Sequence, residues 1–471
     1  MMLKFTVAEY SKKSSEFENA LDNEYKKSHG IFYTDLTLSR LILDYLKIDS
    51  SKTIFDPCCG TGSFLYVAIE KNYKYIYGAD LVLNAVKLCR KLTGLSSNVK
   101  KIDTLGKNSD EILKELNLKE KLDYIVGNPP YVPIDKNIVV DTDDYLFWRK
   151  VKDSGNNLFV AAMYRAFELT KHDGIISYII PKNFLHVCSY STLRKFILRE
   201  KTIISIIDLG SYFSNVRGEQ IIITIKNSFS EDNKIKIFRL IANSFEEVCM
   251  VEQKFFSDEI LLFRNYTEYN IYKKMDATYL KFFDICTGYV GRGKSKSVNA
   301  VSGKDIRKFG FKNHSIPPKG NKVFIQNIYS AESGVIASFA GNELEAGQTV
   351  TIFTDGDEKM CRYIVGILHS RLCNFYLLKF CYNSSKLTMH TDAKYLQKLP
   401  LQRDDEILFD QLVNLVKAIE KIEYMSAIWF EMLDELNKLV YKIYGISAEE
   451  IKYIDKEMYS IQSERWKNDS R

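Results

Sequence analysis

The chain has 471 residues, 46% hydrophobic and 27% charged, with 66 basic side chains against 60 acidic ones. That is too apolar for a disordered tail, and neither a bilayer-length apolar run nor a signal-peptide core is visible, so no membrane partner is expected. The nine cysteines contain no C-x-x-C pair, which excludes a zinc knuckle or disulfide framework and points to a reducing, cytoplasmic setting. Length implies two or three domains. The formal charge of +6 has meaning only if it is gathered in one place. Proline is scarce, with eight copies, and four of them fall in Asp56-Pro57, Asn128-Pro129-Pro130-Tyr131 and Pro133.

Residues 1–27 are polar and helix-prone. From Lys52 to about Phe238, short β-branched or aromatic runs alternate with helix-length amphipathic stretches. Strands are predicted at 53–55, 75–78, 99–102, 123–126, 175–180, 203–207 and 220–225, with helices such as 83–92 and 158–169 between them. This rhythm predicts a doubly wound, mainly parallel α/β sheet. The link 227–233 is short and polar, so strands 220–226 and 234–238 are expected to form a terminal antiparallel hairpin. Residues 286–356 read as short strands and loops, and 401–444 as amphipathic helix. The expected organisation is an α/β domain over 1–244, a mixed α+β domain over 245–400 and a closing helical segment over 401–471.

Three acidic strand ends carry the chemistry. The first strand enters Asp56-Pro57-Cys58-Cys59-Gly60-Thr61-Gly62, where glycines allow a sharp turn and close approach to a ligand. A third small residue and a Walker lysine are both missing, so the loop fits an adenosine with an amino-acid tail better than a phosphate, with Asp56 holding a cationic group. A Gly-x-Gly alone also fits a plain strand–helix turn. Asp80, at the second strand end, is placed for ribose hydroxyls, and Asp103, at the third, for an adenine amino group. Either alone reads equally as a helix N-cap. The fourth strand ends in Asn128-Pro129-Pro130-Tyr131, where two prolines remove backbone donors and leave carbonyl acceptors. With the Asn128 oxygen these suit a planar exocyclic amine, and Tyr131 offers a stacking face for an extruded base.

This order of motifs resembles the γ-group (TaqI-like, Asn-Pro-Pro-Tyr) S-adenosylmethionine-dependent N6-adenine DNA methyltransferases. Gly30-Ile31-Phe32-Tyr33-Thr34 is similar to the family's N-terminal cofactor segment, with Asp35 in place of the usual proline. Residues 374–400 and 433–451 are similar to the family's C-terminal regions. The resemblance implies a seven-stranded methyltransferase sheet and a C-terminal DNA recognition domain. It assigns Thr34, Asp56, Cys58 and Gly60 to the methionine moiety of S-adenosylmethionine, Asp80 to its ribose and Asp103 to its adenine. Asn128, Pro129, Pro130 and Tyr131 would hold the target adenine. The second stacking aromatic usual after the sixth strand is unassigned; Phe229 is nearby but not in register.

Residues 291–322 contain nine Lys or Arg and one acidic residue, Asp305, so the chain's basic excess sits there. Arg292, Lys294 and Lys296 are the expected phosphate contacts, although a charged loop can also be merely solvated. The six histidines show no metal-ligand spacing, and Cys58 and Cys59 lack a partner pattern for nucleophilic catalysis. The expected activity is site-specific adenine-N6 methylation of double-stranded DNA by a monomer. Modification without cleavage is expected, because only about thirty residues precede the cofactor segment; any cognate restriction endonuclease would be a separate chain. The competing readings are an RNA-base or protein-glutamine methyltransferase using the same site, and a non-catalytic DNA-binding specificity protein.

Overall fold

The computed structural model describes residues 3–22, 24, 26, 33–134, 144–213, 218–276, 284–287, 299–316, 319–354, 357–382, 391 and 393–468. They divide into two units, Met1–Asn265 and Tyr266–Arg471. The first is built on one mainly parallel sheet of nine strands: β1 (Thr53–Asp56), β2 (Tyr75–Asp80), β3 (Val99–Lys101), β4 (Leu122–Gly127), β5 (Thr170–Pro181), β6 (Thr202–Gly210), β7 (Gln220–Lys226), β8 (Lys234–Ile241) and β9 (Ser244–Glu252). Their order is β3-β2-β1-β4-β5-β7-β6-β8-β9. Pairs β3-β2-β1-β4-β5 are parallel, and β7 runs antiparallel between β5 and β6.

Helices α1 (Val7–Ala20), α2 (Leu36–Leu46), α3 (Ser63–Glu70), α4 (Leu83–Thr93), α5 (Ser109–Glu115), α6 (Tyr145–Asp153), α7 (Leu158–Leu169) and α8 (Ser191–Glu200) connect or flank the strands. Leu38 and Ile42 of α2, Leu65 and Val67 of α3, and Val86 of α4 share one buried cluster with Ile54, Val126, Ile179 and Ile207 of the sheet. Strands covered on both faces read as continuous apolar runs, which is why most of them were visible in the sequence.

Two expectations are corrected. The sheet has nine strands rather than seven, and residues 227–233 do not close a hairpin. β7 lies between β5 and β6, while β8 pairs parallel to β6. The terminal hairpin is β8–β9, turned by Ala242 and Asn243, both with positive φ as a tight two-residue turn requires.

β9 spans the boundary expected after residue 244, and the buried Gln253 fastens its end to the first unit. The Gln253 Nε2 donates to the Leu198 and Lys201 carbonyls, and its Oε1 accepts from the Ile203 amide and Asn233 Nδ2, all within 2.9 Å. In the second unit, β10 (Asp284–Thr287), β14 (Lys322–Gln326), β15 (Ala337–Ala340) and β17 (Val350–Thr354) form an antiparallel sheet; β11 (Ala300–Val301), β12 (Ile306–Arg307), β13 (Gly310–Phe311) and β16 (Glu345–Ala346) are short pieces beside it. Helix α9 (Tyr266–Asp276) opens this unit. Helix α10 (Glu358–His369) packs so closely on α12 (Glu406–Ile419) that a side chain at Gly366 would meet Leu412 and Val416 at 3.0 Å. Helices α11 (Arg371–Tyr376), α13 (Ala427–Ile443) and α14 (Ala448–Asn468) complete the unit.

Gln253→Leu is expected to cost about 3 kcal/mol, because it strands several buried backbone groups at once. Chemical denaturation of the full chain measures this, and a loss below about 0.5 kcal/mol would show that Gln253 is not the fastening.

Candidate active site

The ends of β1, β2, β4 and β5 converge on one edge of the sheet. The loop after β1 turns through Gly60 (φ 52°) and Gly62 (φ 91°), conformations natural only to glycine. A side chain at Gly62 would lie 2.4 Å from Cys89 Sγ, and one at Gly60 2.7 Å from the Tyr33 ring. The Asp80 carboxylate holds this loop to β2 by accepting from the Gly60 amide (2.8 Å) and the Val82 amide (2.8 Å). Thr104, just past β3, donates from its hydroxyl to the Pro57 carbonyl at 3.0 Å. From the N-terminal side, Ser14 of α1 shares a 2.7 Å hydrogen bond with the buried Thr61, and Tyr10 one of 3.3 Å.

Asp56 is buried at the β1 end, with its Oδ1 where a side chain on Gly127 would stand, 2.8 Å from that ideal Cβ. The Cys58 amide donates to the same oxygen. Burial drives the Asp56 pKa up to about 8, assisted by the nearby Asp80 charge and opposed by the Cys58 amide. Burial likewise raises Asp80. The Cys58 thiol is pushed up by burial and by both carboxylates, so it is no thiolate nucleophile. Asp103 is exposed; its Oδ1 accepts from the Leu105 and Gly106 amides.

At the β4 end, Asn128 Nδ2 donates to Thr34 Oγ1 at 3.3 Å. Its Oδ1 accepts from the Tyr131 hydroxyl, which also reaches the Ile179 carbonyl of β5 at 2.9 Å. Thr34 therefore meets the Asn128 turn, while its neighbour Tyr33 meets the Gly60 loop. The structure thus brings together Thr34, Asp56, Cys58, Gly60, Asp80 and Asn128 to Tyr131. Arg292, Lys294 and Lys296 lie outside the described residues, as do Gly30, Ile31 and Phe32.

Topology also relocates the aromatic question. Phe229 follows β7 and lies, 52% exposed, near the opposite sheet end, where the Asn227 amide bonds the Gly174 carbonyl. The aromatics following β6 at the active edge are Tyr212, which donates to Asp35 at 2.8 Å, and Phe213, 5.2 Å from it. Sequence reasoning also missed Tyr178 of β5. Its ring faces Gly127, and its buried hydroxyl has no hydrogen-bond partner among the described residues.

The chain is similar in sequence to proteins named as methyltransferases. Residues 65–213 match the Eco57I restriction-modification methylase family. The matched segment contains Asp80, Asp103 and Asn128 to Tyr131, and begins after Asp56 and Gly60. The type II methyltransferase M.VspI of Vibrio sp. (strain 343) is 31% identical over 212 residues, covering 43% of this chain and 49% of that protein. The adenine-specific methyltransferase BrxX of Escherichia coli O9:H4 (strain HS) is 32% identical over 133 residues, covering 27% of this chain and 11% of that one. The chain thus spans about half the length of the first of these relatives and far less of the second. Among solved structures, the type IIL restriction-modification enzyme MmeI in complex with DNA superposes with a TM-score of 0.52 at 13% identity, over 98% of this chain and 82% of that one. This supports the methyltransferase-like α/β fold. No helix among the described residues is long and apolar enough to cross a membrane, and none of their His, Cys, Asp and Glu side chains group as a metal site.

The Asp56 shift has a testable sign. Its folded pKa of about 8 lies above the unfolded value near 3.9, so its neutral form stabilises the fold fully at low pH and that contribution is lost as pH rises through 8. Asp56→Asn should therefore raise the melting temperature of the ligand-free chain more near pH 9 than near pH 5. An equal change at both pH values would refute the buried, protonated carboxyl.

Proposed function

We propose that the chain is a sequence-specific DNA methyltransferase that transfers a methyl group from S-adenosylmethionine to N6 of an adenine extruded from duplex DNA, without cleaving it. The observation that carries this reading is the fixed orientation of the Asn128 amide, beside a buried acidic pocket. Thr34 holds Nδ2, so Oδ1 is presented as an acceptor at the end of β4, followed by two residues that have no N–H to donate.

The chemistry of the donor set fits the cofactor. Asp56 would take its ammonium group, since a buried carboxyl without an ion pair among the described residues gains from a cation. Asp80 would accept from the ribose hydroxyls through its remaining lone pairs. Asp103 would use Oδ2, which its own turn leaves unengaged, for the adenine amine. When bound, the group supplies a methyl on a positively charged sulfur. Asn128 Oδ1 and the Pro129 carbonyl each accept one N6–H, which withdraws the nitrogen lone pair from the ring and aims it outward. The nucleophile is neutral, so no side chain has to abstract a proton before attack; the N–CH3 bond would form as the S–CH3 bond breaks to a neutral thioether, and the positive charge passed to N6 would leave as one N6 proton to water. Base extrusion costs a few kcal/mol, which contacts in the pocket must offset.

DNA as acceptor is supported by the match to restriction-modification methylases and by the basic stretch 291–322. Asn128→Ala is expected to lower transfer of labelled methyl groups to duplex DNA by at least about a hundredfold, with S-adenosylmethionine and duplex binding largely kept. Full activity in that variant would overturn the role of Asn128. Labelling of RNA or protein but not duplex DNA by the native chain would overturn the acceptor, and magnesium-dependent cutting of an unmethylated site would overturn modification without cleavage.

A further inference from the structure

The second unit contains a cavity of about 80 Å³ whose lining includes Lys308, Glu332, His369, Ser370, Arg371 and Asn437. A single buried water needs only about 15 Å³ of such space, so there is room for more than water. His369 is buried at the end of α10. The Ala337 amide donates to its Nε2 at 3.1 Å, so the ring is neutral with its proton on Nδ1. That Nδ1–H has no hydrogen-bond acceptor among the described residues. A buried donor without an acceptor destabilises the fold, and an acceptor brought into the cavity removes that cost.

Lys308 supplies a second donor and a charge. It sits at the tip of the hairpin between β12 and β13, where Phe309 adopts a left-handed backbone (φ 58°) unusual for a bulky residue. The Phe309 amide donates to the Ala337 carbonyl at 3.1 Å, and its ring lies 4.1 Å from the His369 ring. The strained tip is thereby held over the histidine. Lys308 has no ion pair among the described residues, and burial lowers its pKa to about 8, leaving it mostly charged at neutral pH. Arg371, by contrast, is paired with Asp455 (2.7 Å) and Asp434 (3.6 Å). Glu332 is the acidic side chain on the lining; it is exposed and makes no ion pair with Lys308.

An uncommitted ammonium and an uncommitted N–H on two side chains that line one cavity call for an oxyanion. We propose that this cavity binds a phosphate group through Lys308 and His369, carried either by a small phosphate ligand or by the backbone of DNA. It does not depend on the methyl-transfer reading, since neither residue belongs to that site. The test uses the full chain with nitrogen-15 histidine, titrated near pH 7 with inorganic phosphate and, separately, with a short duplex. Saturable movement of the His369 Nδ1 signal is expected in at least one titration: with phosphate, the site takes free anions; with duplex alone, it takes the DNA backbone. Lys308→Met, verified as folded by its thermal melt, should weaken the effective ligand about tenfold or more. No movement with either ligand, as a water-filled cavity would give, overturns the proposal. Unchanged affinity in Lys308→Met overturns it as well.

Discussion

The buried carboxyl of Asp56 is the constraint around which the first unit is arranged. Its oxygen stands where any side chain at position 127 would have to be, so β4 must end in glycine for β1 and β4 to close together. Burial also makes ionisation costly, and among the described residues no cation compensates. The fold therefore stores a proton at this point, and a cationic group entering beside Asp56 would gain its attraction while releasing that proton. Asp80 acts differently although it lies nearby. Two backbone amides already donate to its carboxylate, so it works as a brace between the loop and β2. Two carboxyl groups of the same pocket are thus separated by their hydrogen-bond partners, one held neutral by burial and the other engaged in holding the loop.

Much of the fold was legible because a parallel strand covered on both faces has to be apolar along its length. The runs at 53–55, 122–127 and 203–207 show this. Adjacency was less legible. β7 and β8 are separated by seven residues, and a seven-residue polar link looks like a hairpin. Yet β7 is satisfied on both edges by β5 and β6, including a Ser177–Thr224 hydroxyl contact, and so has no edge left for β8. Nothing in the local sequence states which edges a strand will use. β9 was missed for a related reason: as the outermost strand it carries polar residues such as Glu246 and Glu247, so it lacks the apolar run that marked the others.

The candidate site was legible where residue type and position coincide. Asp56 and Asp80 end strands and Asn128 directly follows one, so the strand pattern and the residue type marked the same positions. What could not be read were contacts between distant segments. Ser14 meets Thr61 across 47 residues of chain, and Thr104 meets Pro57 across the same separation. A serine on a polar helix gives no sign of this, and Tyr178 reads as one more aromatic in a β-run. The second stacking aromatic stayed unassigned for the same reason: Phe229 follows β7 at the opposite sheet end, and the polypeptide returns to the active edge through Tyr212 and Phe213.

Tyr131 shows how finely the proposed chemistry is balanced. Its hydroxyl shares one proton between the Asn128 oxygen and the Ile179 carbonyl, so its ring is already oriented by a hydrogen bond. Turning the ring to stack on a base would break that bond, at a net cost of about 1 kcal/mol. Base–aromatic stacking returns about 1–3 kcal/mol. Losing that bond offsets part of the stacking gain, and because every base has a π-face, stacking on Tyr131 would contribute little to selecting one base over another. Discrimination has to come from the acceptors. A base with an exocyclic amine supplies the Asn128 oxygen with a donor in place of the tyrosine hydroxyl, whereas a base carrying a carbonyl there would set two acceptors against each other. In the proposed reaction, the hydrogen-bonding pattern fixed by Thr34 and Asn128, more than the aromatic face, would determine which base the site accepts.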